Sequence, residues 1–149
     1  MPELRDLLEA RMAKPAGFAA DGEAVYVLSD LSGTFQLYRV PVAGGELEQL
    51  TDLPEPVLAF PIPGRRELLI SMDAGGNERE QLYLHSGEPF AELEPLVVEP
   101  DFLHRAPELS PDGALLAYGS NRRNGVDLDV YVRGLDDGEI GRASCRERV

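Results

Sequence analysis

Tryptophan is absent from this chain of 149 residues, aromatic residues of all kinds make up 7 %, and cysteine occurs once. Basic residues are scarce too, 14 against 27 acidic ones, for a formal charge of −13. That balance excludes a general electrostatic attraction to DNA, RNA or anionic lipid, which requires clustered Lys and Arg. The adjacent arginine pairs Arg65-Arg66 and Arg122-Arg123 fall in predicted turns. No apolar run approaches the roughly 20 residues that span a bilayer, so no membrane passage is expected. The start, Met1 to Asp6, has no basic segment followed by an apolar one. A secretory signal is therefore not expected, and cytoplasmic residence is.

The apparatus of common chemistries is missing as well. His85 and His104 are the only histidines, and their neighbours form no metal-binding spacing. No Gly-x-Ser-x-Gly occurs, and Ser110 is a turn residue ahead of Pro111. Acyl transfer needs a nucleophile, a base and an orienting acid, none of which the sequence singles out. Gly75-Gly76-Asn77 leads into a strand and not into a helix N-terminus, so it does not cradle phosphate. Asp127-Leu128-Asp129 looks like half of a calcium loop, yet no Gly and downstream Glu complete it. It aligns with Phe35-Gln36-Leu37 and Glu80-Gln81-Leu82 and reads as strand or turn. No residue is assigned a catalytic, cofactor-binding or metal-binding role, and no cofactor is expected.

What the chain has instead is one cassette written three times at a spacing of about 45 residues. A tight turn opens it, then a mostly apolar strand ends in Asp or Asn, and a Gly-containing turn leads to a strand carrying Leu-Tyr or Val-Tyr. The copies run from Ala20-Asp21-Gly22 to Leu37-Tyr38, from Pro63-Gly64 to Leu82-Tyr83, and from Pro111-Asp112-Gly113 to Val130-Tyr131. In each turn Asp accepts backbone hydrogen bonds and Gly tolerates positive φ. The strand-end markers Asp30, Asp73 and Asn121 recur once per copy, which suits Asx-type turns better than ligation of one metal. Repeats of this length with four short strands each are the mark of β-propeller blades. The expected fold is all-β, an incomplete propeller of about three four-stranded blades with a short N-terminal helix.

The helix is expected over residues 2–13, where Leu4, Leu7, Leu8 and Met12 make one apolar stripe and Pro15 ends it. The N-terminal unit is thus 1–14. Blades follow at about 15–53, 54–100 and 101–138. Strand Ala24 to Leu28 is apolar on both faces, as expected where a sheet is covered on both sides by neighbouring blades. Glu46-Leu47-Glu48 alternates charge as an outer edge strand should. The second outer strand is expected between Phe90 and Val98, and the third blade is expected to break off at Leu135 to Gly138, before its outer strand.

The wording of the cassettes resembles known families. Leu109-Ser110-Pro111-Asp112-Gly113-Ala114-Leu115-Leu116-Ala117-Tyr118 is similar to the Ser-Pro-Asp-Gly repeat shared by TolB-like propellers and the propellers of prolyl-oligopeptidase-type serine peptidases. The stretches from Asp73 to Leu84 and from Ser120 to Val132 resemble early blades of the S9 peptidase family, in its acylaminoacyl-peptidase and dipeptidyl-aminopeptidase branch. The resemblance covers about residues 15–138. It implies a propeller of about seven blades ahead of an α/β-hydrolase domain, gating access of small peptide substrates to a Ser-Asp-His triad. That domain is not in this chain, so no catalytic residue carries over, and no labelling by a serine-directed probe is expected. Charged residues such as Arg79, Arg105 and Arg122 are candidates for the lining of an inner funnel, which the sequence itself does not assign. The alternative implication is a TolB-like, non-enzymatic propeller that binds a protein partner.

Residues 139–149, Glu139 to Val149, break the pattern and hold the single cysteine, Cys145. They resemble a translated sequencing-adapter read-through, and Cys145 therefore carries no information on redox compartment. Three blades cannot close a ring, so apolar area is expected on the open faces of the first and third, with poor solubility as the consequence.

Overall fold

The computed structural model describes residues 11–143. Among them are twelve β-strands and no helix. Blade 1 is formed by β1 (Ala13–Phe18), β2 (Ala24–Ser29), β3 (Gln36–Pro41) and β4 (Glu48–Gln49). Blade 2 is formed by β5 (Leu58–Pro61), β6 (Leu68–Met72), β7 (Gln81–His85) and β8 (Glu94–Val97). Blade 3 is formed by β9 (His104–Leu109), β10 (Leu115–Ser120), β11 (Asp129–Gly134) and β12 (Ile140–Ala143). Each is a four-stranded antiparallel sheet whose spatial order is its chain order. Every connection is local, as in propeller blades.

Alternation along the strands builds the stack. Leu68 and Ile70 on β6 point to blade 1, where they meet Tyr26, Leu28, Leu37 and Leu50. Leu69, between them, points to blade 3 and packs with Leu82, Leu116, Tyr118 and Tyr131. Blade 2 is therefore apolar on both faces, and each fully covered Leu or Ile contributes about 1.5–3 kcal/mol of burial. Two glycines mark where blades approach closely. A Cβ on Gly17, at φ 141°, would meet Pro61 Cγ at 2.9 Å. Gly113, at φ 68°, holds the Pro-Asp-Gly turn of blade 3 against the Pro63 carbonyl of blade 2, with no space for a Cβ.

Three expectations need correction. The helix expected over 2–13 falls mainly on residues 1–10, outside the described residues, but its end does not hold: Ala13 and Lys14 open β1. Pro15 sits in that strand opposite Val27, which an edge strand tolerates because no ladder N–H is lost there. The third blade does not stop before its outer strand. Ile140–Ala143, inside the stretch that resembles adapter sequence, pair with β11 from Arg133 to Val130. Any short extended segment can satisfy an open strand edge, and sequence resemblance does not register that. Finally, β11 starts at Asp129, opposite Ser120, as Gln36 lies opposite Ser29 and Gln81 opposite Met72. Asp129 thus aligns with Gln36 and Gln81, one residue away from the alignment read in the sequence.

Candidate functional site: a cleft between the first two blades

Blades 1 and 2 separate at one end of their shared seam into a cleft of about 740 Å³. Its blade 1 wall is a row across the sheet. Tyr26 pairs with Arg39, and Arg39 with Glu48, so the three side chains lie on the face turned to blade 2. The turn residues Asp21 and Glu23 and the loop residue Glu46 complete that wall, while Gly64, Arg65 and Arg66 of the β5–β6 turn form the other. Tyr26 is only 4 % exposed, and its ring belongs to the apolar seam. Its hydroxyl has no hydrogen-bond partner among the described residues and is not sealed off, and Tyr26 lines the cleft. Burial raises the pKa of this phenol, with Arg39 pulling it the other way.

The cations around the cleft are already committed. Arg39 donates from Nε and Nη2 to Glu48 at 3.0 and 2.6 Å. Arg65 makes a two-pronged pair with Asp136 of blade 3 at 2.9 and 2.8 Å, and Arg66 pairs with Glu88. The Asp136 carboxyl is held below its ordinary pKa by that hydrogen bond and charge. The carboxylates of Glu23 and Glu46 pair with no cation among the described residues. Among the described residues Asp21 accepts only the Glu23 backbone N–H, at 2.9 Å. Among the described residues no group of three or more Asp, Glu, His or Cys is placed to hold a metal ion.

The residues singled out from sequence are placed mostly in structural roles. Asp30 Oδ1 accepts from Met12 N, and Asn121 Oδ1 accepts from Leu103 N, so each marker pins the residue before its blade's first strand. Asp73 instead accepts from Glu78 N at 3.0 Å. Asp127 and Asp129 both take Arg123, with Asp129 almost wholly buried. Arg105 pairs with Glu80 at 3.4 Å, Arg122 pairs with Glu99 at 3.1 Å and lies over the Tyr131 ring, and Arg79 is exposed. The structure does not gather these three arginines into one group.

Both histidines are fully buried. His85 Nδ1 accepts from Gly87 N at 3.0 Å, whereas neither nitrogen of His104 has a partner. Burial and, after it, the charge of Arg122 lower the His104 pKa to about 4. His104 lies opposite Ser120 across β9 and β10 without a hydrogen bond to it. Ser110 Oγ donates to Asp112 at 2.6 Å, and Ser29 Oγ to the Met12 carbonyl at 2.9 Å.

Sequence reasoning missed Gln36 and Gln81. Gln36 Nε2 donates to the Leu53 and Glu55 carbonyls, and its Oε1 accepts from Leu53 N and Thr51 Oγ1. Gln81 donates to the Phe102 carbonyl and accepts from Glu99 N. Each glutamine therefore clamps the connector that leads to the next blade. The signal was present in the repeat: a polar residue at the start of the third strand of every copy. Tyr26 carried no such signal, being one more apolar-looking residue in Ala24–Ser29.

No family model matches this chain, and no curated protein matches it. Solved structures do. A protein described as TolB from Agrobacterium tumefaciens aligns with a TM-score of 0.68 at 16 % identity, over 88 % of this chain and 48 % of that one. TolB from Acinetobacter baumannii aligns with a TM-score of 0.66 at 18 % identity, over 87 % of this chain and 31 % of that one. The chain spans less than half the length of either. At such identity the likeness establishes the propeller-like fold and nothing about function.

Proposed function

We propose that this chain is part of a TolB-like propeller that works by binding a protein partner and carries no catalysis of its own. The observation that carries this reading is how the polar side chains are used. Serines, markers, glutamines and most arginines are tied to turns, connectors and neighbouring blades, while the cleft between blades 1 and 2 is lined by carboxylates, arginines and Tyr26, with no serine, cysteine, lysine or histidine. Propeller rims and inter-blade clefts serve as rigid surfaces for recognition because the blades beneath them are held by their cores. The likeness to TolB structures supports this reading over a peptidase propeller, which has only the resemblance of short stretches behind it.

The test is to express the whole protein to which this chain belongs and expose it to a fluorophosphonate probe. No covalent labelling is expected. Stoichiometric labelling at the serine of a downstream Gly-x-Ser-x-Gly would overturn the reading and restore the S9 peptidase.

A further inference from the structure

Resting on the binding reading above, we propose that the cleft between blades 1 and 2 receives a lysine or arginine side chain of a partner peptide, with the Tyr26 hydroxyl as a polar contact at its base. Two independent observations converge there. The first is the charge left over: Glu23 and Glu46 have no cationic partner among the described residues, and Asp21 is engaged only by a backbone N–H. The arginines that could neutralise them are drawn away to Glu48, Asp136 and Glu88. The second is Tyr26, a cleft-lining side chain with 4 % exposure whose hydroxyl has no partner among the described residues. Because no described group engages this hydroxyl, its hydrogen-bonding capacity is left to water or to a ligand atom in the cleft.

The chemistry of the occupant follows from the same geometry. The carboxylates are not grouped closely enough to enclose a metal ion. A volume of about 740 Å³ is far more than one ion fills and is in the range of sites that take several side chains. An ammonium or guanidinium on a flexible stem can reach between separated carboxylates while its stem lies along Ala19, Ala24 and the Tyr26 ring. The net charge of −13 steers such a cation toward the protein.

The experiment uses fluorescein-labelled Gly-Ser-Arg-Ser-Gly and its citrulline counterpart, which has the same shape without the charge, followed by fluorescence anisotropy. The arginine peptide is expected to saturate, and the citrulline peptide to bind about tenfold more weakly or not at all. A Glu23→Gln/Glu46→Gln variant is expected to lose about tenfold in affinity, and Tyr26→Phe, which keeps the ring in the seam, a few-fold. Glu92→Gln/Glu94→Gln removes the same charge from the outer edge of blade 2 and is expected to change nothing. Equal binding of the two peptides, or equal weakening by both double variants, would overturn the proposal and leave the non-catalytic reading intact. Cleavage of the peptide, seen by mass, would overturn both.

Discussion

The two seams of this stack are built from the same kinds of residue and held differently. Between blades 1 and 2 the contact is a continuous apolar face from Tyr26 and Leu28 to Leu68 and Ile70, and no ion pair crosses it among the described residues. Between blades 2 and 3 a similar apolar centre is edged by three ion pairs, Arg65 with Asp136, Arg105 with Glu80 and Arg122 with Glu99. Arg133 Nη1 adds a bond to the Leu96 carbonyl at 2.7 Å. Each seam also contains one buried histidine. His85, on blade 2, is lowered in pKa by burial, and the Leu50 carbonyl of blade 1 partly offsets this. His104, on blade 3, faces Tyr118 edge-on at 5.9 Å and has the Arg122 cation for a neighbour. The difference teaches that one repeat can build a seam insensitive to salt and another that depends on charge, according to what borders the core.

The largest break is expected at the apolar centres of the two seams. Leu37→Ala in the first seam and Leu116→Ala in the second each remove a fully buried side chain and are expected to cost about 2–5 kcal/mol in chemical denaturation. If blades were independent, neither would affect its neighbour's unfolding; each is expected instead to lower the stability of the blade across its seam as well. Next comes Gly113→Ala. A left-handed φ and the Pro63 carbonyl in the path of the new Cβ make it cost about 1–3 kcal/mol, read as a lowered melting temperature. The corresponding change at Gly22, φ 73° with open space around it, is expected to cost less.

Acid sharpens the contrast. His104 has an ordinary pKa of 6.5 and a native one of about 4, so between those values the unfolded chain takes up a proton that the folded chain refuses. Stability from this residue is therefore complete above 6.5 and falls as pH drops toward 4, by an amount on the order of 2–3 kcal/mol. His104→Leu removes both the proton site and the unpaired nitrogens. It is expected to be close to neutral at pH 7 and to flatten the loss between pH 6.5 and 4 in denaturant titrations. The smallest effect is expected from Asp136→Ala. It frees Arg65 at an exposed edge, and the resulting loss should vanish in high salt, where the wild-type pair is screened too.

Much of the fold was legible because the repeat writes strand and turn alternately. Leu68–Met72 stands where the apolar run places it, and the Asp-Gly turns stand where Asp21-Gly22 and Asp112-Gly113 place them. What was not legible depended on partners. β12 exists because β11 offers an open edge, whatever the local sequence resembles. The role of Pro15 depended on β1 being an edge strand. The cleft joins Asp21 and Glu23 to Gly64 and Arg66, residues of two successive blades, and no local pattern announces such a meeting. Nor does an alternating strand say that one of its inward aromatics, Tyr26, ends in an unmatched hydroxyl.

Among the described residues blade 3 also presents an apolar outer face. Leu115 and Val130 are 46 % and 37 % exposed and share that side of the sheet with Ala117 and Val132. Among the described residues its hold on the other two blades is through the second seam. Amide hydrogen exchange, resolved by strand and followed from pH 7 to pH 5, tests two unlike seams in one stack most directly. The expected result is that β9–β12 lose protection most as pH falls, with β1–β8 losing less because the His85 shift is partly offset. Simultaneous loss across all three blades, or loss beginning in β1–β4, would contradict it.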